Sequence, residues 1–383
     1  MHGRPLLSKN PTPPRHPQRV TGIDVGQGNA VTLQKSMPTQ LTLWQTFLPG
    51  DPKTEDYSNT VELYDAVPKY FASKKRMAEQ RKDGRFLNSL KQPFRHKGKD
   101  YVVKITPARI EEKDGSEKEY YPSWREELVE EALKKLACDQ LNGVYLNGVA
   151  GVQFTLYELR KELKSRGHDI HLDDLLKSLM ICRRAHIVIT TYADDGSEVF
   201  MDSSIFPTLL VSKRREWEKN PRGARCYVQF NPLVTQSITR LTYRQFDYVT
   251  FMTFQHQLAR WFHKRLSHNY TQASLLTPYE IKMSTIVRDS ALVNARRVRD
   301  QARYIADSLD ELKAKQILLS YQKKMMAGKR GKIEDILYTL VPDPFFTDQI
   351  TKANARNKFL FTEAQGLPEE RDRELLGNRR GQK

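Results

Sequence analysis

Three observations predict an α+β fold in which a trio of helices followed by a β-hairpin occurs twice. Between residues 253 and 312, apolar side chains return at helical spacing in three successive segments. Two strand-like runs joined by a turn rich in Gly and Lys follow them. Between residues 123 and 204 the same order occurs, with two β-branched runs around the turn ADDGS.

At 383 residues the chain can bury more than one core. Lys and Arg number 63 against 46 Asp and Glu, a formal charge of +17. A strongly basic protein most often meets a polyanion: DNA, RNA or an anionic membrane face. A basic protein with no nucleic-acid role is the bland alternative. The hydrophobic share of 39% suits a globular chain. Cys138, Cys182 and Cys226 are odd in number and form no CxxC pair. They read as buried thiols in a reducing cytoplasm, not as a disulfide frame or zinc site. No apolar run approaches the roughly 18 residues that span a bilayer, and the N-terminus has no secretory apolar region.

Residues 1–55 read as a flexible basic tail. Its first twenty positions hold Pro5, Pro11, Pro13, Pro14 and Pro17, with Arg4, Lys9, Arg15 and Arg19 and no acid. Within it, Gln40, Leu41, Leu43 and Trp44 form a short amphiphile with a polar head. That peptide suits a small apolar pocket on a partner, or packing onto the chain's own core.

Residues 56–238 read as the first unit. NTVELYDAV and KDYVVKITPARIEE have strand character, and ASKKRMAEQRKDGR between them is a solvated helix or loop. Ser123 with Glu126 makes a capping box ahead of Leu128, Ala132 and Leu136. Thr155 caps a second helix that stops at Gly167, and Leu172, Leu175, Leu176 and Leu179 share one face of a third. HIVITTY and EVFMDSSIFPTLLVS supply the hairpin, and ARCYVQFNPLV another strand. This is the order of a winged helix-turn-helix. Asp173 and Asp174 open its third helix, where carboxylates would meet phosphate. The first unit is therefore expected to serve subunit or backbone contact, with Arg183, Arg184 and residues 213–215 left to touch phosphates.

Residues 239–345 read as the second unit. TYRQFDYVTFMTF is expected to pack between the domains, and Leu258, Trp261, Phe262 and Leu266 mark a buried helix face. Thr277 and Pro278 read as the start of the next helix. On the third helix Ala295, Val298, Ala302, Ile305, Leu309 and Leu312 keep a 3-4-3-4-3 spacing. Arg296, Arg299 and Arg303 fall on another arc and, with Arg297, are the candidate base readers. Asp307 and Asp310 close that arc, and the whole row also reads as a solvated face. The AGKRGK turn makes a wing whose Lys323, Lys324, Lys329, Arg330 and Lys332 would hold phosphates. Lys264 and Arg265 are phosphate candidates on the scaffold helix. Residues 346–383 read as a C-terminal helix and polar tail.

The runs FNPLVTQSITRLTYRQFDYV and LARWFHKRLSHNYTQA resemble the RepA-type initiators of bacterial plasmid replication. The tandem units with a peptide ahead of them resemble the related TrfA-type initiators. The resemblance spans residues 40–345, is most specific from Phe230 to Ala273 and is architectural elsewhere. It implies binding of repeated origin sites (iterons) in double-stranded DNA through two winged-helix domains. It further implies origin melting, recruitment of the host replicative helicase and initiator, and a monomer–dimer switch with a homodimer. TQLTLW is similar to the peptide by which replication proteins dock on the β sliding clamp, with Trp44 in place of the usual Phe.

An enzyme is the competing class. A rolling-circle initiator needs a nucleophilic Tyr and a His-hydrophobe-His triplet, and HDIH at 168–171 has the wrong spacing. No GxxxxGK[ST] loop, zinc cluster or local Ser-His-Asp arrangement occurs, so no catalytic residue, cofactor, metal or membrane partner is expected. A winged-helix transcriptional repressor without replication activity is the nearer alternative.

Overall fold

Helices and strands alternate throughout the computed structural model, which describes residues 57–82, 88–138, 142–146, 148–193, 195–212, 225–328 and 333–377. Gln40, Leu41, Leu43 and Trp44 lie outside the described residues, as do Lys329, Arg330, Lys332 and residues 213–215.

The first departure from expectation comes at once. NTVELYDAV is not one strand: β1 (Tyr57–Val61) gives way to the short helix α1 (Glu62–Ala66). The Asp65 carboxylate accepts the Val61 N–H at 2.6 Å and the Thr60 hydroxyl at 2.9 Å, closing a turn at Val61. α2 (Lys74–Lys82) carries the charge-rich segment. β2 (Leu90–His96) and β3 (Lys99–Thr106) then form a hairpin through Lys97 and Gly98, both at positive φ, as a tight primed turn requires. β4 (Ala108–Glu111) and β5 (Glu117–Tyr120) pair locally.

The capping signals hold. α3 (Trp124–Ala137) starts with the Ser123–Glu126 capping box. After β6 (Gly143–Leu146) and β7 (Val149–Thr155), α4 (Leu156–Ser165) starts with a second box made by Thr155 and Glu158. α5 (Leu172–Arg184) leads into the hairpin of β8 (His186–Tyr192) and β9 (Glu198–Ser204). One sheet runs β2-β3-β8-β9. β10 (Leu209–Leu210) and β11 (Arg225–Gln229) join β7 and β6 in a second sheet, ordered β10-β11-β7-β6. α6 (Pro232–Thr239) is capped by Asn231, and β12 (Tyr243–Asp247) returns to pair with β1 before α7 (Tyr248–Thr253).

The second unit follows as α8 (Gln257–Asn269), β13 (Tyr279–Lys282), α9 (Met283–Ser290) and α10 (Val298–Ala314). The hairpin of β14 (Leu318–Ala327) and β15 (Ile333–Pro342) comes next, and α11 (Pro344–Gly377) ends the described chain. The sheet order is β13-β15-β14. The fold is α+β, and helix, strand, two helices and hairpin is the winged-helix order.

Two expectations here are corrected. Thr277 and Pro278 do not start a helix, because Tyr279–Lys282 pairs along Leu337–Leu340 of β15 and the helix begins only at Met283. Ala295 and Val298 do not extend the core stripe. α9 ends on Ala291 at φ 56, the next residues are irregular, and Val298 at the first helical position is 36% exposed.

Among the described residues two large hydrophobic cores form, with a small third cluster of Ala108, Ile110, Ile181 and Ala185. One gathers residues from Val61 to Met252 together with Ala291 and Leu360; the other gathers residues from Phe254 to Ile350. The aromatic run reaches both cores: it supplies Tyr243, Phe246, Tyr248, Phe251 and Met252 to the first and Phe254 to the second, and Phe246, Phe251 and Phe254 all meet His263 of α8. The β1–β12 pairing explains the first contribution, since it draws residues 243–247 back to the start of the described chain.

Charged groups join the two cores. Lys264 on α8 places its Nζ 3.0 Å from Asp65 on α1 and 2.6 Å from Glu131 on α3. Lys134 lies 3.0 Å from the same two carboxylates. Lys69 and Glu130 complete the cluster, with the Tyr64 and Tyr70 hydroxyls donating to Glu130. Nearby, Arg260 of α8 donates to Glu127 of α3 at 3.0 Å. Burial alone would raise the Asp65 carboxyl, but Lys134, Lys264 and Lys69 overcome it and hold it well below the usual range. Burial likewise opposes the Lys264 charge, and Asp65 and Glu131 more than offset it.

Replacing Lys264 by Met should cost about 3 kcal/mol in denaturant unfolding, because Asp65 and Glu131 stay buried with one cation fewer. A loss below about 1 kcal/mol would show that the site is solvated.

Acid should act through histidines before it reaches these carboxylates. Burial pushes His263 down to about 4 and His268 down to about 3. His263 sits among Phe246, Phe251, Phe254 and Phe346 with neither ring nitrogen hydrogen-bonded among the described residues. Both histidines take up protons near pH 6.5 when unfolded but not when folded, so folded stability falls as pH drops below about 6.5. The loss from His263 alone is on the order of 3 kcal/mol by pH 4. The Asp65 contribution is lost only below about pH 4. In urea titrations, His263→Phe should flatten the dependence between pH 6.5 and 4 by close to one proton. An unchanged slope would exclude His263 as the source.

Candidate nucleic-acid interface

α10 takes its pose from packing on one side only. Ile305, Ser308, Leu309 and Leu312 are buried against the second core. Its N-terminal turn is fixed by the Gln301 amide, which donates to the Ala295 carbonyl at 2.8 Å across the irregular entry. At the other end of the entry, the Ser290 hydroxyl donates to the Ile286 carbonyl at 2.6 Å.

This arrangement sorts the four candidate arginines. Arg296 lies in the entry loop and Arg297 is the extended residue before the helix, so neither stands on the helix as expected. Arg299 and Arg303 lie on it four residues apart, hence about 6 Å along its axis. All four are exposed, and none has a carboxylate partner among the described residues. Asp300, half-buried in the first turn, is the nearest acid in sequence. Asp307 and Asp310 follow on the exposed side, limiting the basic stretch to the N-terminal half.

Arg303 has a second neighbourhood. A cleft of about 600 Å³ separates this half of α10 from Phe71–Lys74 and Trp124, and Asp300, Arg303, Tyr304 and Asp307 line it. Arg299 does not line that cleft.

The wing stands beside α10. Lys323 and Lys324 are exposed on β14, opposite Tyr338 and Leu337 of β15. Successive strand residues point to opposite faces, so the two lysines serve different sides of the hairpin. At the base of the sheet, the Asp335 carboxylate accepts the Ser284 N–H at 3.1 Å, tying the start of α9 to β15.

Lys264 and Arg265 are corrected. Lys264 is buried in the ion cluster described above and has no free face for a phosphate. Arg265 is held 3.1 Å from Asp289, which also accepts from Arg288 at 2.7 Å and from the Arg95 backbone N–H at 2.9 Å. Their spacing on an amphipathic helix resembles that of solvated cations. Only the position of Asp65, Glu131 and Asp289 in space reveals the difference. Those three, with Glu127 and Lys134, are the residues that local sequence did not single out. The one available signal was the density of glutamates on α3, whose EE and EE pairs flank its apolar stripe.

In the first unit the corresponding surfaces carry acids. Asp173 and Asp174 at the start of α5 pair with Lys113 at 2.6 Å and Arg125 at 3.0 Å. The β8–β9 hairpin carries exposed Asp195, Glu198 and Asp202 where the second hairpin carries lysines. Arg183 and Arg184 are exposed in the last turn of α5, and Arg184 donates to the Arg109 carbonyl at 3.0 Å. Among the described residues no group of His, Cys, Asp and Glu is placed to hold a metal ion. No described helix is long and apolar enough to cross a membrane. Cys138, Cys182 and Cys226 are free and buried.

No family model matches the chain. No curated protein sequence matches it either. Solved structures do. A selenomethionine crystal of domains 2 and 3 of RctB aligns at 12% identity and TM-score 0.41, over 72% of this chain and 95% of that one. A second crystal of RctB domains 2–3 aligns at 10% and 0.40, over 70% and 95%. The Pi initiator protein in complex with iteron DNA aligns at 11% and 0.39, over 57% and 90%. Likeness this slight transfers no function, and the winged-helix order above rests on the chain's own elements.

Proposed function

We propose that this chain is a replication initiator of plasmid type. It binds repeated double-stranded sites at an origin, helps open the duplex there, and recruits the host helicase and initiator. The observation that carries its DNA-binding part is the exposed arginine group at the start of α10, without a carboxylate partner among the described residues, beside a lysine-bearing hairpin. A third helix of this kind enters the major groove with its N-terminal residues foremost, while a wing tracks the backbone. Arg299 is the first base reader, on the outward side of the helix. Arg296 and Arg297 reach from the entry loop, and Arg303 reads from the lip of the cleft. Lys324 holds phosphate, joined by Lys329, Arg330 and Lys332 of the turn, and Lys323 does so in a copy that has no neighbour along β14.

The initiator reading is preferred to a transcriptional repressor because of the sequence from Phe230 to Ala273, which resembles that of RepA-type initiators. Gln40, Leu41, Leu43 and Trp44 are assigned to the β sliding clamp on the same basis. The protein performs no chemistry of its own in this reading and works in the cytoplasm. Footprinting on DNA flanking its gene separates the two readings. Regular protected blocks one or two helical turns apart favour an initiator; a single operator favours a repressor.

Substitutions should separate reading from holding. Arg299→Ala should relax selectivity at one base pair by about 1–3 kcal/mol. Lys324→Ala should weaken binding to all sequences alike and lower the slope of log K against log salt by about 1. Quantitative shift assays over a salt series measure both. If neither change alters binding to the footprinted sites, the interface is not on α10 and its wing.

A further inference from the structure

The two hairpins end their sheets with outer strands of opposite character. β9 is the last strand of β2-β3-β8-β9, so one of its two rows of backbone N–H and C=O groups meets no described strand. Phe200, 65% exposed, stands at its centre with Val199 at 52%, and acids flank them at Glu198 and Asp202. Across the sheet Phe200 pairs with the half-buried Thr190 and that with Val102, 38% exposed. β14 is likewise the last strand of β13-β15-β14. It exposes Met325 at 59% and Leu319 at 52%, and its charges are Lys323 and Lys324.

We propose that β9 of one copy pairs with β14 of another, joining chains head to tail. The occupant of the β9 edge follows from charge. Two β9 strands paired with each other would bring four carboxylates onto one ribbon, and like charges across a ribbon repel. β14 answers each feature of β9 instead. In the antiparallel register that sets Asp202 against Lys323, Phe200 falls opposite Met325, an ion pair and a sulfur–aromatic contact on one face. Lys324 points to the other face and stays available for phosphate.

The proposal rests on the reading of the protein as a binder of repeated sites, and it explains how neighbours on those sites would meet. Sites repeated in one orientation relate adjacent copies by translation and rotation along the helix, not by a two-fold axis. A contact between such copies must join two different surfaces, as β9 and β14 are, and it propagates from copy to copy.

Cysteine pairing tests the contact directly, because the three native thiols are buried. Full-length chains carrying Phe200→Cys and Met325→Cys are mixed and oxidised, both concentrated without DNA and on DNA with two sites. The expected result is a disulfide-linked pair containing one chain of each kind, with neither variant linking alone. Linking by Phe200→Cys alone would show a two-fold β9 contact and overturn the proposal, as would no linking in the mixture. On DNA, Asp202→Lys should lower cooperativity between two sites by about tenfold, a change of ~1.4 kcal/mol, and leave affinity for one site unchanged. Adding Lys323→Glu to the same chain should restore the cooperativity ratio, taken against the lower single-site affinity of that chain. Cooperativity unaffected by Asp202→Lys would also overturn it. The DNA-free cross-link keeps the two readings apart: a link without site-specific DNA binding would sink the proposed function and leave the contact standing.

Discussion

The structure depends on one buried ionic cluster. Three buried carboxylates, Asp65, Glu130 and Glu131, meet three ammonium groups, Lys69, Lys134 and Lys264, of which Lys264 keeps a small exposed part. Five of these residues belong to the first unit, and Lys264 alone comes from the second. Such a cluster gives little net stability, since desolvation consumes most of the Coulombic gain. Its value is geometric. An unpaired charge in that interior would be far more costly than a paired one, so α8 cannot slide along α3 without exposing the mismatch. Arg260 and Glu127 repeat the constraint one helical turn away.

A second seam begins at the next residue of α8 after Lys264. Asp289, buried at the end of α9, collects Arg265, Arg288 and the Arg95 backbone N–H, and the Gln92 amide donates to the Arg288 carbonyl at 2.9 Å. The β2–β3 hairpin is thereby pinned to the helix that precedes the arginine loop. Between the two seams, α8 and α9 are both fixed, and α10 rests on them. The placement of α10 therefore depends on charged groups that lie outside it, from Asp65 to Asp289.

Local rules were legible wherever the deciding atoms are close in sequence. Ser123 with Glu126 and Thr155 with Glu158 satisfy their own helix starts, so three or four residues decide the matter. The stripe Ile305, Leu309 and Leu312 was legible because burial on one helix face repeats with the helix itself. The failures have the opposite cause. Pro278 followed by Tyr279 reads as a helix start until β15, nearly sixty residues on, offers it a strand to pair with. Lys264 reads as a solvated cation until Asp65, 199 residues earlier, closes on it. Arg296 and Arg297 keep helical spacing, but Ala291 in a left-handed conformation ends the preceding helix so close by that the chain needs them as linker.

The same element order serves twice, and the two copies differ less in shape than in where they place charge. Both units set two helices and a third against a hairpin. In the second, arginines and lysines occupy the two parts that a duplex would touch. In the first, the third helix opens with Asp173 and Asp174, already paired with Lys113 and Arg125, and the hairpin edge is acidic with Phe200 exposed. An acidic hairpin next to DNA would be repelled by every phosphate it approached, and an exposed phenylalanine there would bury nothing. The excess of 17 positive charges makes the acids on this edge the less expected, because a uniformly basic chain would repel its own copies. Concentrating acid and apolar surface on one outer strand, and base and apolar surface on another, lets copies of such a chain approach in one orientation while the rest of their surfaces hold them apart.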